Sequence, residues 1–307
     1  MKYFQNQRCD FRYPVVSMGT FDGVHLGHRK LLKSLRKRAD ETGGEAVVIT
    51  YYHHPLEIIH KKTFPYLLTE RHKKEELIKN LGIDCVLYLN FDEKMAEMTA
   101  DEFLTEILLG ELETREFVVG YDTHFGKKRE GNSEFLEKNA EKFHYRVETV
   151  EPLKIDNRIV SSSLIRDFVR EGNMQSVERF LGRKYSLFGK VVSGKKIGRK
   201  IGFPTINVEP SDPNKLIPAI GVYISEATIE KQKYIAVTNI GYSPTLKRTN
   251  IKEIETFILD FEGEVYDKEV EIIFHRRLRD EVLFPSENDL IKAIFKDVEQ
   301  TRRYFQK

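Results

Sequence analysis

The feature that most constrains this 307-residue chain is the run Met18-Gly19-Thr20-Phe21-Asp22-Gly23-Val24-His25-Leu26-Gly27-His28. The apolar Pro14-Val15-Val16 leads into it, and a helical spacing, Leu31, Leu32, Leu35 and Ala39, leads out. This pattern predicts a strand, a glycine-broken loop and a helix start. Glycines let backbone approach a ligand closely. The N–H groups of a first helical turn lack internal partners and suit an anion. His25 and His28 fall on that turn and can offer imidazole N–H groups to one phosphate. Taken alone, a His-x-x-His pair more often means that one imidazole caps the helix and the other is exposed. A metal pair is less favoured, because no Cys or Glu stands nearby at ligand spacing.

The length suits one large domain or two of about 150 residues. With 40% hydrophobic and 32% charged residues the chain is globular rather than disordered. A formal net charge of +2 makes no case for a nucleic-acid or membrane partner. No 18-residue apolar run and no signal-peptide core are present, so a cytoplasmic location is expected. Cys9 and Cys85 lie far apart in no metal pattern and read as reduced thiols.

Beyond the first helix, Ala46–Tyr51, Cys85–Leu89, Phe117–Val119 and Tyr145–Val150 read as further strands. Helical patterns around Glu75 to Leu81, from Thr99 to Leu109, and from Phe135 to Phe143 separate them. Thr99 with Glu102 makes a capping box, and Gly110 is the expected stop. Strands alternating with helices predict a Rossmann-like, doubly wound parallel sheet with ligands at the carboxyl ends of its strands. Composition shifts at Gly182-Arg183. Beyond it short strands dominate, at Tyr185–Val192, Gly221–Ile229, Tyr234–Ile240, Ile254–Leu259 and Val270–Phe274. These predict an antiparallel β-barrel domain over 183–307, closed by a helix from Ser286 to about Phe305. Gly189 to Lys196 nearly fits a P-loop, but Lys196 stands where Ser or Thr is needed and no helix follows.

Three further stretches carry candidate chemistry. Gly120-Tyr121-Asp122-Thr123-His124-Phe125-Gly126 follows the fourth strand. Ser161-Ser162-Ser163-Leu164-Ile165-Arg166 places hydroxyls and a guanidinium at a helix start, where they can cap the helix, cradle phosphates, or both. Gly198 to Val208 includes Gly202-Phe203-Pro204-Thr205-Ile206-Asn207. Period two puts Thr205 and Asn207 on one face, where they can be plain strand-edge residues or hard oxygen ligands of the kind Mg²⁺ takes.

The string Gly-Thr-Phe-Asp-Gly-Val-His-Leu-Gly-His resembles the signature of the HIGH-type nucleotidyltransferases. Within that superfamily it is most similar to the N-terminal module of bacterial bifunctional riboflavin kinase/FAD synthetase. Gly202-Phe203-Pro204-Thr205-Ile206-Asn207 resembles that family's kinase signature, with Ile206 for the usual Ala. Gly221-Val222-Tyr223, Asn239-Ile240-Gly241, Pro244-Thr245, the run Glu255 to Phe261, and Arg279-Asp280-Glu281 with Phe284 and Ser286 also match. The chain departs from the family at Thr123, where Phe is usual, at His53, where Pro is usual, and at Ser163, where Thr is usual.

The resemblance implies two activities. Residues 183–307 phosphorylate riboflavin to FMN with ATP and Mg²⁺. Residues 1–182 adenylylate FMN to FAD with a second ATP, releasing pyrophosphate. It further implies that His25 and His28 stabilise the ATP α-phosphate, that Arg166 neutralises the β/γ-phosphates, and that Glu255 is the kinase base. Gly19, Phe21, Asp22, Gly23, Gly27, Asp122, Phe125, Gly126, Ser161, Ser162 and Ser163 would line the adenylyl site. Gly198, Gly202 and Pro204 would wrap the kinase nucleotide, and Thr205 and Asn207 would hold the metal. Two other classes stay open at this level: a different adenylyl- or cytidylyltransferase, which leaves the barrel unexplained, and a flavin-binding regulator without chemistry.

Overall fold

Strands that are apolar on both faces need helices on both sides. The computed structural model describes residues 10–52, 67–194, 198, 201–242 and 252–306. In it the runs form β1 (Pro14–Met18), β2 (Glu45–Tyr51), β3 (Cys85–Leu89), β4 (Glu116–Gly120) and β5 (Arg146–Val150). All pair in parallel, in the order β3-β2-β1-β4-β5. Val15, Ala46, Val48 and Val86 pack against Leu32 and Leu35 of α1 (Leu26–Thr42) and Ile78 of α2 (Arg71–Lys79). The alternate residues Val16, Val47, Leu87 and Phe117 pack on the opposite face. The predicted doubly wound sheet is therefore present, with both faces buried.

Two helix boundaries differ from expectation. Helix α2 begins at Arg71 rather than near Glu75, and Leu81 and Gly82 lie in the turn that follows it, Gly82 at φ 79°. After α3 (Glu93–Glu97), the Thr99/Glu102 capping box opens α4 (Ala100–Glu102) as the spacing predicts. From Phe103 to Glu111 the helix then widens into π turns, ending with Leu112 N–H donating to the Ile107 carbonyl at 3.1 Å. Gly110 lies inside this wide turn instead of stopping a helix. A Cβ there would lie 2.9 Å from the Thr105 carbonyl oxygen, so the turn needs a residue without one. The widening keeps Phe103, Leu104, Ile107 and Leu108 on the core side. Helix α5 (Ser133–Phe143), capped by the Asn132 side chain, covers the same face. A hairpin of β6 (Lys154–Ile155) and β7 (Arg158–Ile159) turns through Asp156 and Asn157, both at positive φ.

The chain divides into two compact units, Met1–Phe64 with Arg71–Ser161, and Pro65–Glu70 with Ser162–Lys307. The second opens with α6 (Ser162–Glu171) and α7 (Met174–Leu181). Its centre is a closed barrel in the order β10-β11-β12-β9-β8-β13. The strands are β8 (Tyr185–Val192), β9 (Thr205–Pro210), β10 (Gly221–Ile229), β11 (Gln232–Tyr242), β12 (Lys252–Ile258) and β13 (Glu269–Arg279). The pattern predicted five of these; β9 is the strand that follows the Phe203-Pro204 entry and completes the barrel. The near-P-loop residues Gly189 and Lys190 lie in β8, while Lys195 and Lys196 fall outside the described residues. Inside the barrel Ser225, Thr238 and Thr256 form a buried hydroxyl chain at 2.8 and 2.9 Å, each polar atom satisfied by the next.

The final helix α8 (Glu287–Phe305) starts at Ser286, whose hydroxyl accepts from the Asp289 N–H. It is clamped to the barrel by Arg279, whose guanidinium donates to both carboxylate oxygens of the buried Asp297 at 2.8–3.2 Å. Such a bidentate charged pair is geometrically specific as well as strong.

Residues 67–70 join this second unit through a contact that periodicity does not encode. Leu67 bridges Lys215 in parallel. The Lys215 ammonium donates to the Leu68 carbonyl and to Glu70 Oε2, both at 2.9 Å, and lies 4.4 Å from the Tyr185 ring centre. Glu70 Oε1 accepts the Phe188 N–H at 2.9 Å. Side-chain exposures of 1% for Lys215 and 4% for Glu70 make this a desolvated pair. Removing one partner leaves a buried charge uncompensated, which costs about 3–5 kcal/mol, whereas replacing both by apolar groups is often neutral. Glu70→Ala should therefore destabilise the full chain by roughly that amount, and Glu70→Leu with Lys215→Met should recover most of it. Urea unfolding of the three proteins measures this; equal stability for all three would show that the pair contributes nothing.

Candidate functional site

Strand β1 is the central strand of the first unit, and its carboxyl end opens directly into the Gly19–His25 loop. Gly19 N–H donates to the Ile49 carbonyl at 3.0 Å, so the loop leaves the sheet still tied to β2. A turn follows, closed by Val24 N–H to the Phe21 carbonyl at 3.1 Å. Phe21, Gly23 and Val24 have φ of 48°, 89° and 41°. Positive φ at a β-branched residue is strained, at a cost on the order of 1–3 kcal/mol. Phe21 and Val24 are fully buried in the core beneath α1, and burial of such side chains contributes about 1.5–3 kcal/mol each. The core thus holds the loop in a conformation that it would not adopt alone.

His25 is the N-cap of α1. Its Nδ1 accepts the His28 N–H at 3.1 Å, so the capping role is realised. An acceptor Nδ1 leaves the proton of the neutral imidazole on Nε2, which is then a donor. The His25 and His28 rings stack at 3.6 Å with 13° between planes, and Phe21 meets His28 edge-on at 5.3 Å. His25 is 4% exposed and Asp22 3%. A Cβ on Gly27 would lie 3.1–3.2 Å from the His25 ring and from the Val160 carbonyl oxygen. That close approach brings the Val160-Ser161 segment against the start of α1.

The loop after β4 has its own anchor. Phe125 is buried, packs on Phe103 and Phe135, and exchanges two 3.0 Å backbone hydrogen bonds with Gly131. Its side chain therefore holds the loop from below. Gly126 has φ 72°, and a Cβ there would press on the Ala100 backbone. Asp122 is exposed within the Gly120–Thr123 turn. The expected cluster divides at one point. Ser161 lies in the first unit, whereas Ser162, Ser163 and Arg166 lie on the first turns of α6 in the second.

The second unit gathers another set. In the barrel ladder Asn207 faces Glu255 and Thr205 faces Phe257, while Asn239 faces Glu255 from β11. Ile254, Thr256 and Ile258 are buried, so Glu255 and Phe257 lie on the opposite, half-buried side of β12, as alternation predicts. Phe203 packs edge-on against Phe257 at 5.3 Å and Phe295 of α8 at 5.1 Å. A side chain on Gly194 would collide with the Asn207 amide, and a Cβ on Gly198 would approach the Thr205 hydroxyl at 3.3 Å. Gly198 also accepts the Phe203 N–H at 2.8 Å, and Gly202 has φ 86°. The donor set, a hydroxyl, an amide and a carboxylate, suits a hard divalent cation. Among the described residues no group of three or more His, Cys, Asp or Glu is placed to hold a metal ion.

Sequence reasoning missed Lys74 and Thr50, which lie under the motif loop. Thr50 Oγ1 donates to the Thr20 carbonyl at 3.1 Å, and the Lys74 ammonium donates to the same carbonyl and to Thr50 Oγ1, each at 3.3 Å. Lys74 precedes the buried Ile78 by four residues, so it falls on the inward face of α2; that spacing was the available signal. His53 and Pro244-Thr245 lie outside the described residues, as does Cys9; Cys85 is a buried free thiol.

Comparison with known proteins agrees with both halves. Residues 8–164 match the FAD synthetase family model and residues 181–305 the riboflavin kinase model. The bifunctional riboflavin kinase/FMN adenylyltransferase of Buchnera aphidicola is 34% identical over 94% of this chain and 93% of its own. That of Pseudomonas fluorescens is 34% identical over 97% and 94%. A solved Streptococcus pneumoniae structure, described as a macrolide-efflux protein, superposes with a TM-score of 0.84 at 28% identity, covering 94% of each chain. No described helix of the present chain is long and apolar enough to cross a membrane. The double match defines a two-headed transferase, one head a nucleotidyltransferase and the other a kinase. The chain belongs to the bifunctional riboflavin kinase/FMN adenylyltransferase family.

The cap geometry fixes a measurable tautomer. An imidazole ¹⁵N spectrum at mildly alkaline pH should show His25 protonated on Nε2. A proton on Nδ1 would contradict the observed hydrogen bond to His28.

Proposed function

We propose that the His25 loop carries the adenylyl step and the Thr205/Asn207/Glu255 face the kinase step of a bifunctional flavin-cofactor enzyme. The chain phosphorylates riboflavin to FMN and adenylylates FMN to FAD, both with ATP. The adenylyl activity is assigned to residues 1–182 and the kinase to 183–307, supported by the family matches over 8–164 and 181–305. The observation that carries the reading is the pairing of Asn207 with Glu255 across β9 and β12. It sets a carboxylate beside the oxygen donors of Thr205 and Asn207 without any distant rearrangement.

In the kinase step Glu255 accepts the proton of the ribityl 5′-hydroxyl as that oxygen attacks the γ-phosphorus of ATP. The bond to the bridging oxygen breaks and ADP leaves. Thr205 and Asn207 would hold Mg²⁺, which when bound neutralises phosphate charge. Gly198 and Gly202 keep the backbone slim where the phosphates lie, and Pro204 fixes the chain's entry into β9. Catalysis here is mainly positioning and charge neutralisation. In the adenylyl step a phosphate oxygen of FMN attacks the α-phosphorus of ATP, and pyrophosphate leaves. The His25 Nε2–H and the His28 imidazole donate to the α-phosphate as its charge grows. Gly19, Gly23 and Gly27 allow close backbone approach, and buried Phe21 and Phe125 hold their loops in place. Asp22, Asp122, Gly126 and Ser161 line the nucleotide site.

Purified protein incubated with riboflavin, ATP and Mg²⁺, with the flavins separated by chromatography, tests the assignment. His28→Ala should lower FAD formation by on the order of 10²–10³ and leave FMN formation intact. Glu255→Gln should lower FMN formation by on the order of 10²–10⁴ while supplied FMN still becomes FAD. The control Glu253→Gln changes a carboxylate on the same strand face and should cost far less. FAD formation at the parent rate by His28→Ala would refute the first assignment, and a fully active Glu255→Gln the second.

A further inference from the structure

Lys74 is 9% exposed, and its ammonium has two described acceptors for three N–H groups, the Thr20 carbonyl and Thr50 Oγ1. Lysine is almost never so deeply buried unless it is paired. Among the described residues it makes no direct ion pair. The groups that face it are Asp22 from the motif loop, Tyr88 from β3 with its ring centre at 5.4 Å, and Arg71 and Glu75 from its own helix. Arg71 is itself held away, stacked over the Tyr52 and Tyr88 rings at 4.4 and 4.7 Å and bonded to Glu75 at 3.0 Å. A methionine would fill the same space at lower desolvation cost.

We propose that Lys74 is a positioning residue for adenylyl transfer: its ammonium pins the Thr20 carbonyl and Thr50 hydroxyl, and so sets the course of the strained backbone carrying Asp22 and His25. This rests on the reading of that loop as the adenylyl site. Thr20 immediately precedes Phe21, the first residue at positive φ, so its carbonyl is the last point at which the loop is tied down before it turns. Burial pushes the Lys74 pKa down from 10.5 to about 8, with Asp22 and Glu75 opposing the fall and Arg71 adding to it. The charge is therefore half lost at about pH 8, nearly full well below it and nearly gone well above it. Stability runs the other way. The unfolded lysine keeps its proton to about 10.5 and the folded one only to about 8, so between those values this group makes folding more favourable as pH rises. An alkaline loss of rate cannot then be a loss of fold at this residue.

The test measures FAD formation from supplied FMN and ATP across pH 8, in the full-length parent, Lys74→Met and Lys74→Arg, with FMN formation from riboflavin as an internal control. In the parent, kcat should fall as pH rises through about 8. Lys74→Met should lower kcat by on the order of 10–10², mostly without raising the KM for ATP, and should lose the alkaline limb. Lys74→Arg, charged throughout, should keep more rate than Lys74→Met and hold it above pH 8. FMN formation should be unchanged in all three. The proposal is overturned if Lys74→Met retains the parent rate and pH profile, or if its losses of FAD formation, FMN formation and thermal stability run in parallel. His28→Ala separates the two levels. If it still makes FAD, the loop is not the adenylyl site and both readings fall. If it is inactive while Lys74→Met is fully active, only the role of Lys74 falls.

Discussion

The central place of β1 in a five-stranded parallel ladder is the constraint on which the first site depends. A parallel strand hands its chain to the next element only at its carboxyl end, so the loops after β1, β2, β3 and β4 all leave from one rim. The motif loop lies in the middle of that rim, with β2 and β4 on either side. Burial of Phe21 and Val24 in the core then forces two left-handed residues into the loop, and His25 ends it by capping α1 through its own ring. One hydrogen bond, His28 N–H to His25 Nδ1, both starts the helix and directs the remaining imidazole proton outward from the cap. Helix cap and imidazole donor are thus the same residue.

The barrel achieves a comparable end with register instead of a rim. Asn207 and Glu255 are far apart in sequence yet directly opposed in the β9–β12 ladder. Glycines at 194 and 198 keep the space over Asn207 and Thr205 open, and the Phe203–Phe257–Phe295 contacts close it on the side of α8. The bidentate Arg279–Asp297 pair holds that helix in place. This face is assembled by backbone pairing, which tolerates little slippage, since a shift of one residue would turn Glu255 away.

Much of this was legible locally. Apolar runs and helical spacings located β1 to β5 and α1, alternation located five of the six barrel strands, and the capping residues Thr99 and Ser286 stand where their side chains act. The His25 and Thr205/Asn207 motifs lie where strand ends and strand faces predicted. Local pattern failed where the competing force was not local. The π turns at Phe103–Glu111 answer the need to keep four apolar residues on the sheet, and a lone glycine there reads as a stop. Residues 67–70 join the second unit because Glu70 meets Lys215, whose partnership spans 145 positions.

The sequence by itself determined which segments become strands and helices, which loops carry glycines and histidines, and which residue types are available for phosphate and metal chemistry. These follow from side-chain period, propensity and capping, all properties of neighbours in the chain. Only the tertiary structure decided that Glu255 faces Asn207, that Glu70 neutralises Lys215, and that Lys74 lies under Thr20. Each of those is a pairing of polar groups across long sequence separations. It is favourable only after burial has removed competing water, so no local pattern can announce it.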